Sequence, residues 1–164
     1  MIRRLILAAM VFGLTTAPSS LWSYDAGLAA SYAQLFEPAV GAQTGKALHL
    51  MTAEVMVNKI KAGDPLILLD VRTPAEAQIF GGAVPGSLSI PLSALFQEQN
   101  LTRIPTDKAV IVLCKSGTRA TAAGAALRHI GFDKVFILKG GFKALAAYLD
   151  PKTANTPPKT GSKH

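Results

Sequence analysis

The sequence predicts an α/β domain built on a parallel sheet, and three observations carry that prediction. Residues 66–69, 110–113 and 135–138 are short runs that are apolar at every position. Strands buried on both faces read this way, and they belong to parallel sheets covered by helices on each side. Helix-forming segments follow all three runs, so strand and helix alternate along the chain. Finally, residues 48–149 are sufficient for one modest core, without internal repeats.

The elements follow in order. Arg3 and Arg4 precede the apolar run 5–14, and small residues follow through Ser20. That charged, apolar, small-residue order predicts a signal peptide over 1–20 and export to the periplasm or cell envelope. The rival reading is an uncleaved membrane anchor through residues 5–24, which carry no charge; the polar stretch 15–20 weighs against it. Residues 21–47 read as a short helix and a linker. Leu28, Tyr32, Leu35 and Phe36 recur at helical spacing until Pro38, and 40–46 contains two glycines. Such a helix either packs on its own domain, the favoured reading, or docks on a partner or membrane surface.

Within 48–149, Thr52 caps a helix through Lys61, with Glu54 in its first turn and Gly63 just past its end. The 66–69 strand runs into Thr73-Pro74-Ala75-Glu76, a capping box with proline at the first helical position. Residues 87–90 form a strand stopped by Pro91, and Ser93 caps a short helix. After the 110–113 strand, the alanine-rich stretch 118–129 is helical and ends at Gly131. The 135–138 strand leads through Gly140-Gly141 into a last helix over 142–149. Residues 150–164, with three prolines and three lysines, read as a disordered tail.

Composition narrows the function classes. The chain of 164 residues is 49% hydrophobic and 16% charged, which excludes a disordered, charge-driven chain. A net charge of +7 without blocks of basic residues leaves no nucleic-acid footprint. A single cysteine excludes an intrachain disulfide framework and a cysteine-rich zinc site, and no cofactor is called for.

That cysteine is the informative residue. Cys114 stands directly after a strand, and Lys115-Ser116-Gly117-Thr118-Arg119 leads directly into a helix. Such a turn aims successive backbone N–H groups into one concavity at a helix N-terminus, an anion nest. Gly117 lets the backbone turn where a side chain would clash. A sulfur at the mouth of the nest is favoured as thiolate, and any anion it carries is stabilised. An inert buried cysteine is the bland alternative.

Four blocks carry a resemblance: LLDVRTPAEAQIF (68–80), VPGSLSIPLSAL (84–95), VIVLCKSGTRA (110–120) and GFDKVFILKGG (131–141). Together, over about 48–149, they resemble a single-domain rhodanese. The resemblance implies a rhodanese-like α/β fold with a five-stranded parallel sheet flanked by helices. It also implies a sulfurtransferase of the thiosulfate:cyanide type, with Cys114 as the nucleophile that carries a persulfide. The amides of Lys115, Ser116, Gly117, Thr118 and Arg119 would then bind the persulfide and the incoming anion. The implied partners are a small anionic sulfur donor and a thiol or protein acceptor. The chain departs from the family's usual residues at Ala83, where histidine is frequent, and at Leu145, where tryptophan is frequent.

The charges near the loop divide into steering and bracing. Lys115, beside Cys114, suits contact with an anionic donor. Arg119 either contacts substrate or braces the loop on Asp70 or Glu76, and Asp70 and Arg72 read as bracing charges. A carboxylate facing the thiol directly would oppose its ionisation, which argues against Asp70 pointing at Cys114. Thiol-protease chemistry needs a histidine within hydrogen-bond reach. His129 lies at the far end of the 118–129 helix, about 16 Å away, and reads as a cation at a helix C-terminus. His49 and His164 carry no signal. Three rival functions remain: a cysteine phosphatase, whose loop is one residue longer; an arsenate reductase, which shares this loop size; and a sulfane-sulfur carrier without turnover.

Overall fold

The structure is a computed structural model that describes residues 24–81 and 84–157. The expected signal, Ala83, His164 and all of the candidate anchor except Tyr24 lie outside the described residues. The chain begins with α1 (Ala26–Phe36) and α2 (Thr44–Ala47), followed by β1 (Leu50–Met51) and α3 (Ala53–Lys61). Next come β2 (Leu66–Asp70), α4 (Pro74–Ile79), β3 (Leu88–Ser89) and α5 (Glu98–Leu101). The last elements are β4 (Ala109–Leu113), α6 (Thr118–His129), β5 (Val135–Leu138), α7 (Gly141–Tyr148) and α8 (Pro151–Asn155).

The five strands form one parallel sheet in the order β1-β5-β4-β2-β3. Alternate side chains of each strand go to opposite faces, and each face has its own core. Ile67, Leu69, Val110 and Val112 pack with Ala120, Ala123 and Leu127 of α6. Leu66, Leu68, Ile111 and Leu113 pack on the other face with Met56 and Val57 of α3 and Leu145 of α7. Leu145 therefore serves as a core residue, 7% exposed.

Local chemistry starts the helices where the sequence places them. Thr52 accepts the Val55 N–H at 3.3 Å ahead of α3. Thr73 accepts the Glu76 N–H, and Glu76 in turn accepts from the Thr73 N–H, so the capping box of α4 is complete. Ser93 does not cap a helix. It lies inside a 3-10 turn (Leu92–Ala94), and α5 starts later, after Gln97, without a side-chain cap. Pro91 sets that turn by its own backbone angle, so no hydroxyl is needed.

Three further expectations change. The stretch 40–46 is ordered as a 3-10 turn (Gly41–Gln43) that runs into α2. The edge strand β1 has no counterpart in the sequence reading, since two residues are too few for a periodic signal. His49 anchors it. Its left-handed backbone, φ 54°, turns the chain into the sheet, and its carbonyl accepts the Ile137 N–H at 2.9 Å. The ring lies on Phe136, with Nδ1 2.9 Å from the Val135 carbonyl oxygen. Burial holds this imidazole below the usual histidine value, and the Val135 carbonyl opposes that shift.

The third change is at the C-terminal end, where 151–155 is helical rather than disordered. Asp150 caps α8 by accepting the Thr153 N–H, and Lys61 Nζ donates to the carbonyls of Thr153 and Thr156. A cation on the last carbonyls of a short helix offsets its unfavourable nucleation. At the other end, α1 packs on α6. Tyr32 stacks on His129 with centroids 4.0 Å apart, and Ser31 Oγ lies 3.3 Å from His129 Nε2.

Candidate active site

The C-terminal ends of β4, β2 and β5 meet at one edge of the sheet, the usual ligand-binding edge of such folds. Cys114 follows β4 there and is 1% exposed. Its Sγ accepts the Gly117 N–H at 3.2 Å. Gly117 has φ +97°, a left-handed conformation that turns the loop back on the sulfur and opens α6. Thr121 donates to the Gly117 carbonyl through its N–H at 2.8 Å and its hydroxyl at 3.0 Å. Ser116 and Thr118 present hydroxyls 3.4 Å apart on the exposed side.

The loop rests on the start of α7. Phe142 N–H donates to the Cys114 carbonyl at 2.7 Å, and Lys143 N–H donates to the Lys115 carbonyl at 3.0 Å. Gly141 makes that approach feasible. Its φ is +59°, and a Cβ there would lie 2.3 Å from the Cys114 carbonyl oxygen and 2.7 Å from Gly117 N. In the sequence Gly140-Gly141 reads only as a helix entry. The doubled glycine after a strand was the signal that backbone passes close to backbone there.

The charged residues sort into two pairs. Arg72 donates through Nε and Nη2 to the Asp70 carboxylate, at 2.9, 3.0 and 2.6 Å, and both side chains are buried. Arg72 also donates to the Phe80 carbonyl and lies over the Phe142 ring, 4.6 Å from its centroid. Asp70 is thus fully engaged by Arg72, which links β2 to α4 and α7.

Arg119 makes the second pair. Nη1 and Nη2 donate to Glu76 Oε2 and Oε1, each at 2.8 Å, in a two-pronged arrangement. Of the two carboxylates open to Arg119, Glu76 is the partner. Arg119 and the Thr73 N–H together hold the Glu76 carboxyl well below the usual carboxylate range. Glu76 in turn raises Arg119 above its usual value, against burial, and the Cys114 sulfur adds in the same direction. Lys115 is exposed and makes no ion pair among the described residues.

His129 lies at the α1–α6 contact and His49 at β1, both away from the sulfur. No group of three or more metal-ligating side chains occurs among the described residues. Nor is any helix among them long and apolar enough to cross a membrane.

Comparisons with known proteins agree with this architecture. The sequence model of the rhodanese-like domain family matches residues 52–148. A curated sulfurtransferase of Allochromatium vinosum is 32% identical over 96 residues, covering 58% of this chain and 86% of that protein. A probable adenylyltransferase/sulfurtransferase, MoeZ, of Mycobacterium tuberculosis is 34% identical over 92 residues. That match covers 56% of this chain but only 23% of the longer relative. A crystal structure of a rhodanese-related protein from Thermoplasma volcanium superposes with a TM-score of 0.51 at 28% identity, covering 60% of this chain and 91% of that one. Cysteine loop, parallel sheet and family match lead to one conclusion: the chain belongs to the rhodanese-like domain family.

Proposed function

We propose that the protein is a sulfurtransferase that moves sulfane sulfur through a persulfide on Cys114. The observation that carries the reading is the Gly117 N–H donated to Cys114 Sγ at 3.2 Å, inside a loop short enough to close around one sulfur. In the first half-reaction, the Cys114 thiolate attacks the outer sulfur of a donor such as thiosulfate. The new S–S bond forms as the donor's S–S bond breaks, and sulfite leaves with the electron pair. In the second, a thiophilic acceptor attacks the outer persulfide sulfur, and Sγ leaves as thiolate. The Gly117 N–H aimed at the sulfur stabilises the negative charge at each step.

The Arg119–Glu76 pair also supports this reading over phosphatase chemistry. Both terminal nitrogens of Arg119 are committed to Glu76, whereas a phosphate cradle needs that fork for its own anion. Mass spectrometry before and after thiosulfate is the direct test. Cys114 should gain one sulfur atom, cyanide should discharge it as thiocyanate, and Cys114→Ser should abolish both with the fold intact. Equal activity in Cys114→Ser would refute the mechanism. Loading without turnover would point to a carrier instead.

Export, with cleavage near residue 20, is proposed on the Arg3-Arg4 and 5–14 pattern. Amino-terminal sequencing from the native host checks it; an intact Met1 in a soluble cytosolic fraction would sink it.

A further inference from the structure

Three lysines stand around the cysteine loop. Lys115 follows Cys114 in the loop itself, and Lys143 is joined to it through backbone, its N–H donating to the Lys115 carbonyl at 3.0 Å. Lys139 comes directly after β5. The parallel register pairs Val112 with Ile137, so two residues further on Cys114 and Lys139 leave the sheet at the same level. Lys139 N–H is held by the Met51 carbonyl at 2.8 Å, which keeps this rim in place. All three side chains are exposed.

Among the described residues their charges are uncompensated, as are those of Lys46, Lys108 and Lys152; what sets these three apart is their place around the loop. Lys59 pairs with Asp64, Lys61 donates to the end of α8, and Lys134 donates to the Asp107 carbonyl. Lys115, Lys139 and Lys143 make no ion pair among the described residues. The acidic groups of this end do not cancel them: Asp70 is taken by Arg72 and Glu76 by Arg119.

An apolar element adjoins the lysines. Phe80 is 61% exposed, and its ring meets Phe142 at a centroid distance of 5.8 Å. Phe142 directly precedes Lys143 in the first turn of α7, so the exposed Phe80 ring lies against the element that carries Lys143. A small dianion needs one cation and the loop amides; it gains nothing from an exposed phenyl ring. A peptide surface uses both, since aromatic anchors supply contact energy and charges supply steering and orientation.

Resting on the sulfurtransferase reading, we propose that the physiological acceptor is a protein thiol on an acidic surface, docked by Lys139, Lys143 and Phe80. Its thiolate attacks the outer sulfur of the Cys114 persulfide. The S–S bond to the acceptor forms, the bond to Sγ breaks, and Sγ leaves as thiolate, so no oxidant is consumed.

The test uses the full chain, loaded with thiosulfate, and two synthetic peptides of equal length. One carries a cysteine between glutamates and the other a cysteine between lysines. The native protein should transfer sulfur to the acidic peptide about tenfold faster at low salt, with the preference fading as salt screens the charges. Lys139→Glu with Lys143→Glu should reverse the preference at low salt, while kcat for thiosulfate:cyanide turnover at saturating thiosulfate and high salt stays at the native value. Phe80→Ala should slow transfer to the acidic peptide while cyanide turnover stays at the native rate. Equal rates with both peptides in the native protein, or a double variant that slows both alike, would overturn the docking proposal while cyanide turnover leaves the sulfurtransferase reading standing. Failure to load from thiosulfate would remove that reading, and this proposal with it.

Discussion

At the scale of single residues, Lys115 and Arg119 have different surroundings although both flank the same sulfur. Lys115 is exposed and outside any ion pair among the described residues; Arg119 is tied to Glu76 by two bonds of 2.8 Å. Lys115→Ala should therefore lower kcat/KM for thiosulfate by up to about tenfold at low salt, and by much less at high salt. Arg119→Ala should lower kcat and melting temperature with little salt dependence. Native kinetics for Lys115→Ala at every salt concentration would move the steering role to the amides alone. The Glu76 pairing also carries a pH signature. A carboxylate held below its free value stabilises the fold above about pH 4.5 and loses that contribution as pH falls through and below it. The melting temperatures of native protein and Glu76→Gln should differ at neutral pH and approach each other below that point. A constant gap down to about pH 3 would mean that the pair contributes nothing to the fold.

Among elements, the decisive contact is between the loop after β4 and the first turn of α7. It depends on Gly141, because both its positive φ and its distance of approach exclude a side chain. Gly141→Ala should cost roughly 2 kcal/mol or more of stability. It should also depress kcat more than a substitution of equal cost in the α3 core, such as Val57→Ala. Thermal melts and thiosulfate:cyanide kinetics on the two variants check this; equal kcat in both would show that α7 supports the fold without positioning the loop. The sequence showed two glycines and a helix, but the partner of Gly141 lies across the sheet edge and has no local signature.

On the scale of the whole molecule, the strands, the helices that alternate with them and the cysteine loop were legible because they rest on local chemistry. Continuous apolar runs specify strands buried on both faces. Threonine caps and the capping box specify where helices start. The position of Cys114 between an apolar run and a glycine-containing turn specifies a sulfur at a strand end. These signals sit within a few residues of one another, so a linear reading reaches them. What only the tertiary structure decided involves residues distant in the chain. It assigned Glu76 rather than Asp70 to Arg119, across 43 residues. It brought His129, which stands in the last turn of α6 as expected, against Tyr32, so that it also seats α1. It paired β1 with β5 through His49, and bound the 151–155 segment to Lys61, 92 residues earlier. The physical reason is common to all of these. A two-residue strand or a five-residue helix is unstable alone and forms only where another part of the chain supplies its hydrogen bonds.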